Sequence, residues 1–332
     1  MKNLVQMDQL INTFAIQLQE AMEIGKASKI SKSDDIDNLV VAGLGGSGIG
    51  ADLTNEIATS ELRIPMNSIK GYHLPNYVGP NTLVIISSYS GNTEETLSCL
   101  EDAISKRAQI VCISSGGQII ERAKKEGIEF IVIPGGNPPR ACLGYSFVQQ
   151  LYVLLKKELI SNSFEDELFE SIQILEGNKS SIKAKAEEIA EKIYNKFPVI
   201  YAEDQYESIA VRMRQQLNEN SKMLCFHHVV PEMNHNELVG WRDVPDKLIA
   251  IVLRSDIEHS SNTKRIEISK EIIRPLTNDV LEIWTQGDNN ISKRLYLIHL
   301  IDWISFYTGV KRKFDPVEVN VIDRLKKKLA KS

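Results

Sequence analysis

Long hydrophobic runs are missing from this 332-residue chain: none approaches the roughly 20 apolar residues that a membrane-crossing helix needs. An excess of positive charge is missing too. With 39 Lys and Arg against 44 Asp and Glu, the net charge is −5 and the isoelectric point about 5.8. Such a chain offers no basic face to displace counterions from a phosphate backbone, so nucleic acid is excluded as the expected partner. Cysteine is scarce: Cys99, Cys112, Cys142 and Cys225 are scattered and form no Cys-x-x-Cys pair. Neither a disulfide framework nor a zinc knuckle is implied, and a reducing, cytoplasmic compartment fits. The first 27 residues alternate apolar and polar side chains at helical spacing without the continuous apolar core of a secretory signal. No tract rich in Gly, Pro or Ser marks a disordered arm. What remains, 42% hydrophobic and 25% charged residues, is the balance of a folded globular protein long enough for two domains.

After the opening helix, the apolar segment 39–44 reads as a buried strand that runs into glycines and then a helical stretch, 49–58. The same alternation returns with strands at 83–87, 110–114 and 130–133 and helices at 93–106 and 118–126. A helical bridge follows, from 143 to 157 and 164 to 195. The second half repeats the pattern: strand 198–202, helix 207–222, a short strand near 223–226, strand 248–253, helix 261–273, strand 280–284, helix 291–307 and a basic helix 317–331. Strands alternating with helices imply parallel sheets covered on both faces, hence two doubly wound α/β domains, expected at 1–155 and 156–332.

Two segments carry chemistry on their face. Gly43-Leu44-Gly45-Gly46-Ser47-Gly48 follows a strand and opens a helix, which presents backbone N–H groups to an anion. It matches the dinucleotide pattern Gly-x-Gly-x-x-Gly. The next strand, however, ends in Ser68-Ile69-Lys70-Gly71, without the acid that would hold a ribose. A close-packed turn that binds nothing is the plain alternative. The segment Ser87-Ser88-Tyr89-Ser90-Gly91-Asn92-Thr93-Glu94-Glu95-Thr96 says more. Hydroxyls, a glycine and a helix start meet at the carboxyl edge of a parallel sheet, where open α/β folds place their ligands. Those donors and the helix dipole suit a phosphate monoester. Thr93 reads equally well as a simple helix N-cap, which leaves Ser88, Ser90 and Gly91 unexplained.

The serine-rich segment resembles the phosphate loop of sugar isomerase (SIS) domains, and the glycine segment resembles the first sugar-binding loop of bifunctional phosphoglucose/phosphomannose isomerases. Three later segments join the resemblance along nearly the full chain: 137–147 (NPPRACLGYSF), 218–222 (NENSK) and 231–237 (PEMNHNE). It implies two SIS domains, no cofactor and no metal, and a homodimer with a shared active site. It further implies that Ser88, Ser90 and Thr93 hold the phosphate and that Gly45, Gly46 and Ser47 line the sugar. By the same resemblance Arg140 stands beside the reacting carbons and Glu219 is the base. His235 assists ring opening from the neighbouring subunit, and Lys326 completes the site. The implied reaction interconverts glucose 6-phosphate, and mannose 6-phosphate, with fructose 6-phosphate through a cis-enediolate.

The chemistry needs these residue types. A single carboxylate can move a proton between carbons 1 and 2, a guanidinium can stabilise the oxyanion, and a histidine with a lysine can open the ring. Each residue also has a plain structural reading. Glu219 lies on a polar helical stretch, Arg140 follows two prolines, Lys326 sits in a lysine run, and His227, His228 and Glu232 near His235 raise a metal cluster. A sugar-phosphate-sensing regulator on the same fold and a nicotinamide-dependent oxidoreductase are the competing functions.

Overall fold

The computed structural model of the chain describes residues 2–33, 35–242, 246–277 and 279–329, with side chains from residue 7 onward. Two compact units divide it. One comprises Thr13–Gly177 with Gly287–Ser292; the other comprises Met1–Asn12, Asn178–Gln286 and Lys293–Ser332.

The first unit is built on a five-stranded sheet. Its elements run α2 (Phe14–Ala27), β1 (Asn38–Ala42), α3 (Gly45–Ala58), β2 (Met66–Ile69), β3 (Thr82–Ser87), α4 (Glu94–Ser105), β4 (Gln109–Ser114), α5 (Gly117–Glu126), β5 (Glu129–Val132), α6 (Leu143–Lys156) and α7 (Ser163–Gly177). The strand order is β2-β1-β3-β4-β5, and every neighbouring pair is parallel. Every residue of β3 is buried, with Val40 opposite Val84 and Ile85 opposite Val111 across its two ladders. A central strand covered on both faces needs a continuous apolar run rather than an alternation, which is why TLVIIS forms it. Val40, Val84, Ile86, Cys99, Leu100 and Cys112 make the core between this sheet and α4.

The division expected near residue 155 falls in the last turn of α6, yet α6 and α7 stay together. Tyr152 meets Phe164 edge to face at 5.2 Å, and its hydroxyl donates to Glu165 at 2.8 Å. The long segment of the five-stranded unit therefore ends at Gly177.

The second unit holds α1 (Lys2–Asn12), α8 (Lys179–Ile193), β6 (Phe197–Glu203), α9 (Glu207–Ser221), β7 (Phe226–Val230), β8 (Leu248–Arg254), α10 (Ser260–Ile273), β9 (Val280–Trp284), α11 (Asn290–Lys311) from Lys293 onward, and α12 (Asn320–Leu329). Its sheet is again wholly parallel, in the order β7-β6-β8-β9. That order repeats β2-β1-β3-β4 element for element, so the two units share one topology. In each, the chain leaves the middle of the sheet in two directions, between β1 and β3 and between β6 and β8. Tyr201, Val230, Met233, Trp241, Val252 and Ile266 form the core on one face, and α11 is buried along most of its length.

Local structure departs from expectation in three places. The opening helix is two helices, separated at Thr13. The strand expected near 223–226 begins only at Phe226: Lys222 ends α9 in a left-handed conformation, and the Asn218 amide holds the Met223 carbonyl at 2.7 Å. The last helix starts at Asn320 rather than 317. Asp315 accepts the Val317 N–H at 2.8 Å and Glu318 the Asn320 N–H at 2.9 Å, which shapes 315–319 as turns. Lys331 lies outside the described residues. No disulfide joins the four cysteines, and burial pushes the thiol of Cys99 up to about 11 and those of Cys112 and Cys225 up to about 12. Among the described residues no helix is long and apolar enough to cross a membrane.

Candidate active site

Seven of the ten residues singled out in the sequence lie in the five-stranded unit, and the fold gathers them at one edge of its sheet. Gly45 and Gly46 begin α3 itself, with Gly45 at a φ of +54°. The loop is close-packed on both sides. A Cβ on Gly43 would stand 2.9 Å from the Ser87 carbonyl, and one on Gly46 would stand 3.1 Å from the Pro139 carbonyl. The glycine loop is thus wedged between the end of β3 and the turn that carries Arg140. Arg140 is itself buried, in a single 3-10 turn, Pro139–Ala141. Tyr89 adds the third side: its hydroxyl accepts the Asn137 N–H at 3.2 Å, tying the serine segment to the same turn.

The serine segment folds as a tight loop from β3 into α4. Ser88 is buried, Ser90 exposed and Thr93 half-buried. Thr93 occupies the N-cap position of α4, but its side chain makes no capping bond. Its hydroxyl stands instead 3.0 Å from that of Ser88. The two hydroxyls face each other at a helix start whose first N–H groups have no intrahelical acceptor, the arrangement an anion wants. Ser90 accepts the Asn92 N–H at 3.3 Å within the loop. Gly91, at a φ of +68°, lies so close to the next loop that a Cβ there would be 1.8 Å from the Gly116 carbonyl.

The four-stranded unit has a loop in the equivalent place, between β8 and α10, and it is filled from within. The Glu258 carboxylate is buried and accepts the Ser255 N–H at 2.8 Å and the Arg254 guanidinium at 2.9 Å. Glu203, at the end of β6, accepts the His259 N–H at 2.7 Å and the Asn262 amide at 3.0 Å. Burial disfavours the charge on Arg254, but hydrogen bonds to Glu258, Glu267 and Glu282 hold its pKa above the ordinary value. Two internal carboxylates take the donors that an anion would use there.

Glu219, His235 and Lys326 belong to this second unit. Glu219 stands in the last turn of α9, half-buried, in a pocket lined also by Asn218, Lys222, Glu318 and the Val319–Ile322 stretch that opens α12. The sequence motif around it is explained by its contacts. Asn220 donates to the Ser305 hydroxyl at 2.9 Å and Ser221 to the Ser305 carbonyl at 2.6 Å. Gly309 of α11 leaves room for this helix end, since a Cβ there would be 2.5 Å from the Asn220 carbonyl. Lys326 lies farther along α12, exposed, and is not among the residues lining the pocket. His235 lies in the 3-10 turn Glu232–His235 after β7, also exposed and also outside that pocket. Its neighbours are engaged elsewhere: His228 with Glu237 at 2.8 Å, and His227 3.8 Å from Glu207. Among the described residues no group of three His, Cys, Asp or Glu is placed to hold a metal ion.

Two contributors were not legible beforehand. Lys70, at the end of β2, pairs with Asp52 of α3, and its Cε would touch a Cβ on Gly48 at 3.4 Å, so a cation flanks the glycine loop. Its position after a strand and before Gly71 was the only available signal. Lys222, the last residue of the Asn218–Lys222 motif, turns back onto the Glu219 carbonyl at 2.6 Å.

The family model described as the bacterial phospho-glucose isomerase C-terminal SIS domain matches residues 182–329. Among solved structures, the C-terminal domain of glucosamine-fructose-6-phosphate aminotransferase from Francisella tularensis superposes with a TM-score of 0.75, covering 94% of this chain and 98% of that one. At 13% identity that likeness speaks for the fold alone. A bifunctional phosphoglucose/phosphomannose isomerase from Aquifex aeolicus is 36% identical over 88% of this chain and 90% of its own length. The protein of that description from Caldicellulosiruptor bescii is 39% identical over 95% of this chain and 96% of its own. With similarity of that depth running through both units, the chain belongs to the bifunctional phosphoglucose/phosphomannose isomerase family.

Proposed function

We propose that this chain is an aldose–ketose isomerase, an intramolecular oxidoreductase that interconverts glucose 6-phosphate and mannose 6-phosphate with fructose 6-phosphate. The observation that carries the reading furthest is the Ser88–Thr93 pair. A threonine at an N-cap position leaves the cap unmade and turns its hydroxyl to a serine, whereas in the equivalent loop of the four-stranded unit the Glu258 carboxylate takes the Ser255 N–H.

In this reading Ser88, Ser90, Thr93 and the start of α4 hold the phosphate, and Gly45, Gly46 and Ser47 line the sugar. His235 and Lys326 open the ring by passing one proton from the anomeric hydroxyl to the ring oxygen. Glu219 removes the proton from carbon 2 of the open aldose, leaving a cis-enediolate, and returns it to carbon 1 to give the ketose. Arg140, a buried guanidinium, stabilises the oxyanion where charge develops. Glucose and mannose phosphates differ only at carbon 2, which is planar in the enediolate, so one intermediate serves both. The chemistry calls for neither nucleotide nor metal. We further propose a cytoplasmic homodimer in which the exposed His235 serves the partner's site.

The test incubates each aldose phosphate with enzyme and chelator and follows fructose 6-phosphate. Glu219→Gln should lose at least about 100-fold in turnover while melting normally. Full activity in that variant would remove Glu219 from the mechanism. Sedimentation reports the dimer, and a melting shift with NAD or NADP would favour the oxidoreductase instead.

A further inference from the structure

The C-terminal end of α9 is held by an unusual residue. Lys222 follows the helix at a φ of +50° and ψ of +39°, the left-handed position that glycine normally fills. A side chain there costs about 1–2 kcal/mol in backbone strain. The lysine's contribution lies in its ammonium, which donates to three backbone carbonyls: Glu219 at 2.6 Å, Asp315 at 2.7 Å and Glu318 at 2.7 Å. An ammonium has three N–H groups, and here each has a carbonyl. The Glu318 carboxylate adds its charge at 3.7 Å.

These bonds join segments that lie more than 90 residues apart in sequence. One end is the residue read above as the base. The other is the turn segment leading into α12, whose Val319–Ile322 stretch lines the same pocket as Glu219. Arg312 reinforces the junction by donating to the Ser221 carbonyl at 3.0 Å and to the Tyr194 carbonyl at 2.9 Å. The Arg312 contacts hold residues flanking the helix end, whereas the Lys222 ammonium reaches the carbonyl of Glu219 itself. We propose that Lys222 is a positioning residue of the isomerase site: it ties the backbone of Glu219 to the Asp315–Glu318 segment and thereby fixes where the carboxylate stands in its pocket. Proton transfer to and from adjacent carbons depends on that placement, since an ångström of error costs about 100-fold in rate. This inference rests on Glu219 being the base.

The experiment compares Lys222→Met, Lys222→Gly and Lys222→Arg with Glu219→Gln in the full-length protein, measuring kcat and KM for fructose 6-phosphate and the melting temperature. Lys222→Met should lose about 10- to 100-fold in kcat with KM within about twofold. Lys222→Gly suits the left-handed backbone but lacks the ammonium, and it should lose kcat equally. Should Lys222→Met not fold, Lys222→Arg is decisive: its planar guanidinium cannot converge on three carbonyls, so kcat falls by a smaller factor with KM kept. Wild-type kcat in Lys222→Met overturns the proposal, as does recovery of kcat by Lys222→Gly, which would assign the residue to shaping the helix end alone. A raised KM with kcat intact in Lys222→Arg also overturns it. An active Glu219→Gln would sink the assignment of the base, whereas an inactive Glu219→Gln beside an unaffected Lys222→Met sinks this inference only.

Discussion

Replacing Gly91 by alanine adds one methyl group at the tightest point of the serine loop. Two separate costs follow. The backbone there has a φ of +68°, where an L-side chain costs about 1–2 kcal/mol. The new Cβ would also lie 1.8 Å from the Gly116 carbonyl and 2.7 Å from the Ser114 hydroxyl, so two loops must part. Parting them breaks the bond from the Ile119 N–H to the Gly91 carbonyl at 3.0 Å and strains that from the Gly91 N–H to the Ser88 carbonyl at 3.1 Å. Each is worth about 1 kcal/mol, for a combined loss of about 3–4 kcal/mol. In a unit of this size that is about 6–16 °C in melting temperature. Gly45→Ala supplies the control. Its φ is +54°, yet nothing lies within 4 Å of its Cβ position, so only the backbone cost of about 1–2 kcal/mol applies. Thermal melts with and without inorganic phosphate separate the two variants. Gly91→Ala should lose both stability and the stabilisation that phosphate confers, because Ser88 and Thr93 flank the displaced residue. If Gly91→Ala melts with Gly45→Ala and keeps its phosphate response, the loop is not a rigid anion cradle.

Thr93→Val should leave the melting temperature nearly unchanged, since the hydroxyl caps nothing, while raising KM for fructose 6-phosphate about 10-fold; a loss of about 1 kcal/mol in stability with KM kept would make Thr93 an ordinary cap. Arg212 and Asp302 are a buried pair at 2.7 Å, with Gln216 donating to the same carboxylate. Arg212→Met strands the carboxylate and should cost about 3–5 kcal/mol in urea unfolding, with most of it regained in the double variant Arg212→Met/Asp302→Leu. Burial, with Lys179 and Lys183 adding to it, brings the His299 imidazole down to about 3 from an ordinary 6.5. Between those values the unfolded chain binds the extra proton, so the stability from keeping His299 neutral is full above pH 6.5 and lost on acidification. Unfolding free energy should fall by about 2 kcal/mol between pH 7 and pH 5 on this account, and His299→Gln should flatten that slope.

Much of the fold was legible because its signals are local. Short apolar runs such as Leu83–Ile86, alternating with helical stretches, read as central strands of a covered sheet, and the glycines at 43–48 and hydroxyls at 87–93 stand where a strand hands over to a helix. Boundaries were less legible. The helix after Gly43 begins at Gly45 rather than 49: glycines have poor intrinsic helix propensity, but a Cβ on Gly46 would stand 3.1 Å from the Pro139 carbonyl and one on Gly48 2.7 Å from the Gly43 carbonyl. A division at residue 155 would part Tyr152 from Phe164, whose edge-to-face contact lies within one unit and is invisible to local pattern.

Taken alone, the order of residues determined two rounds of strand and helix, a hydroxyl-rich loop suited to an anion, and a chain with too little positive charge for nucleic acid. Side-chain periodicity and turn chemistry act over a few residues, so they can be read along the chain. Tertiary structure decided how two topologically equivalent loops differ: the Glu258 carboxylate takes the Ser255 N–H in one, while two hydroxyls, of Ser88 and Thr93, face each other in the other. It also decided what Lys222 does, because its three carbonyl partners are brought together only when segments more than 90 residues apart have packed.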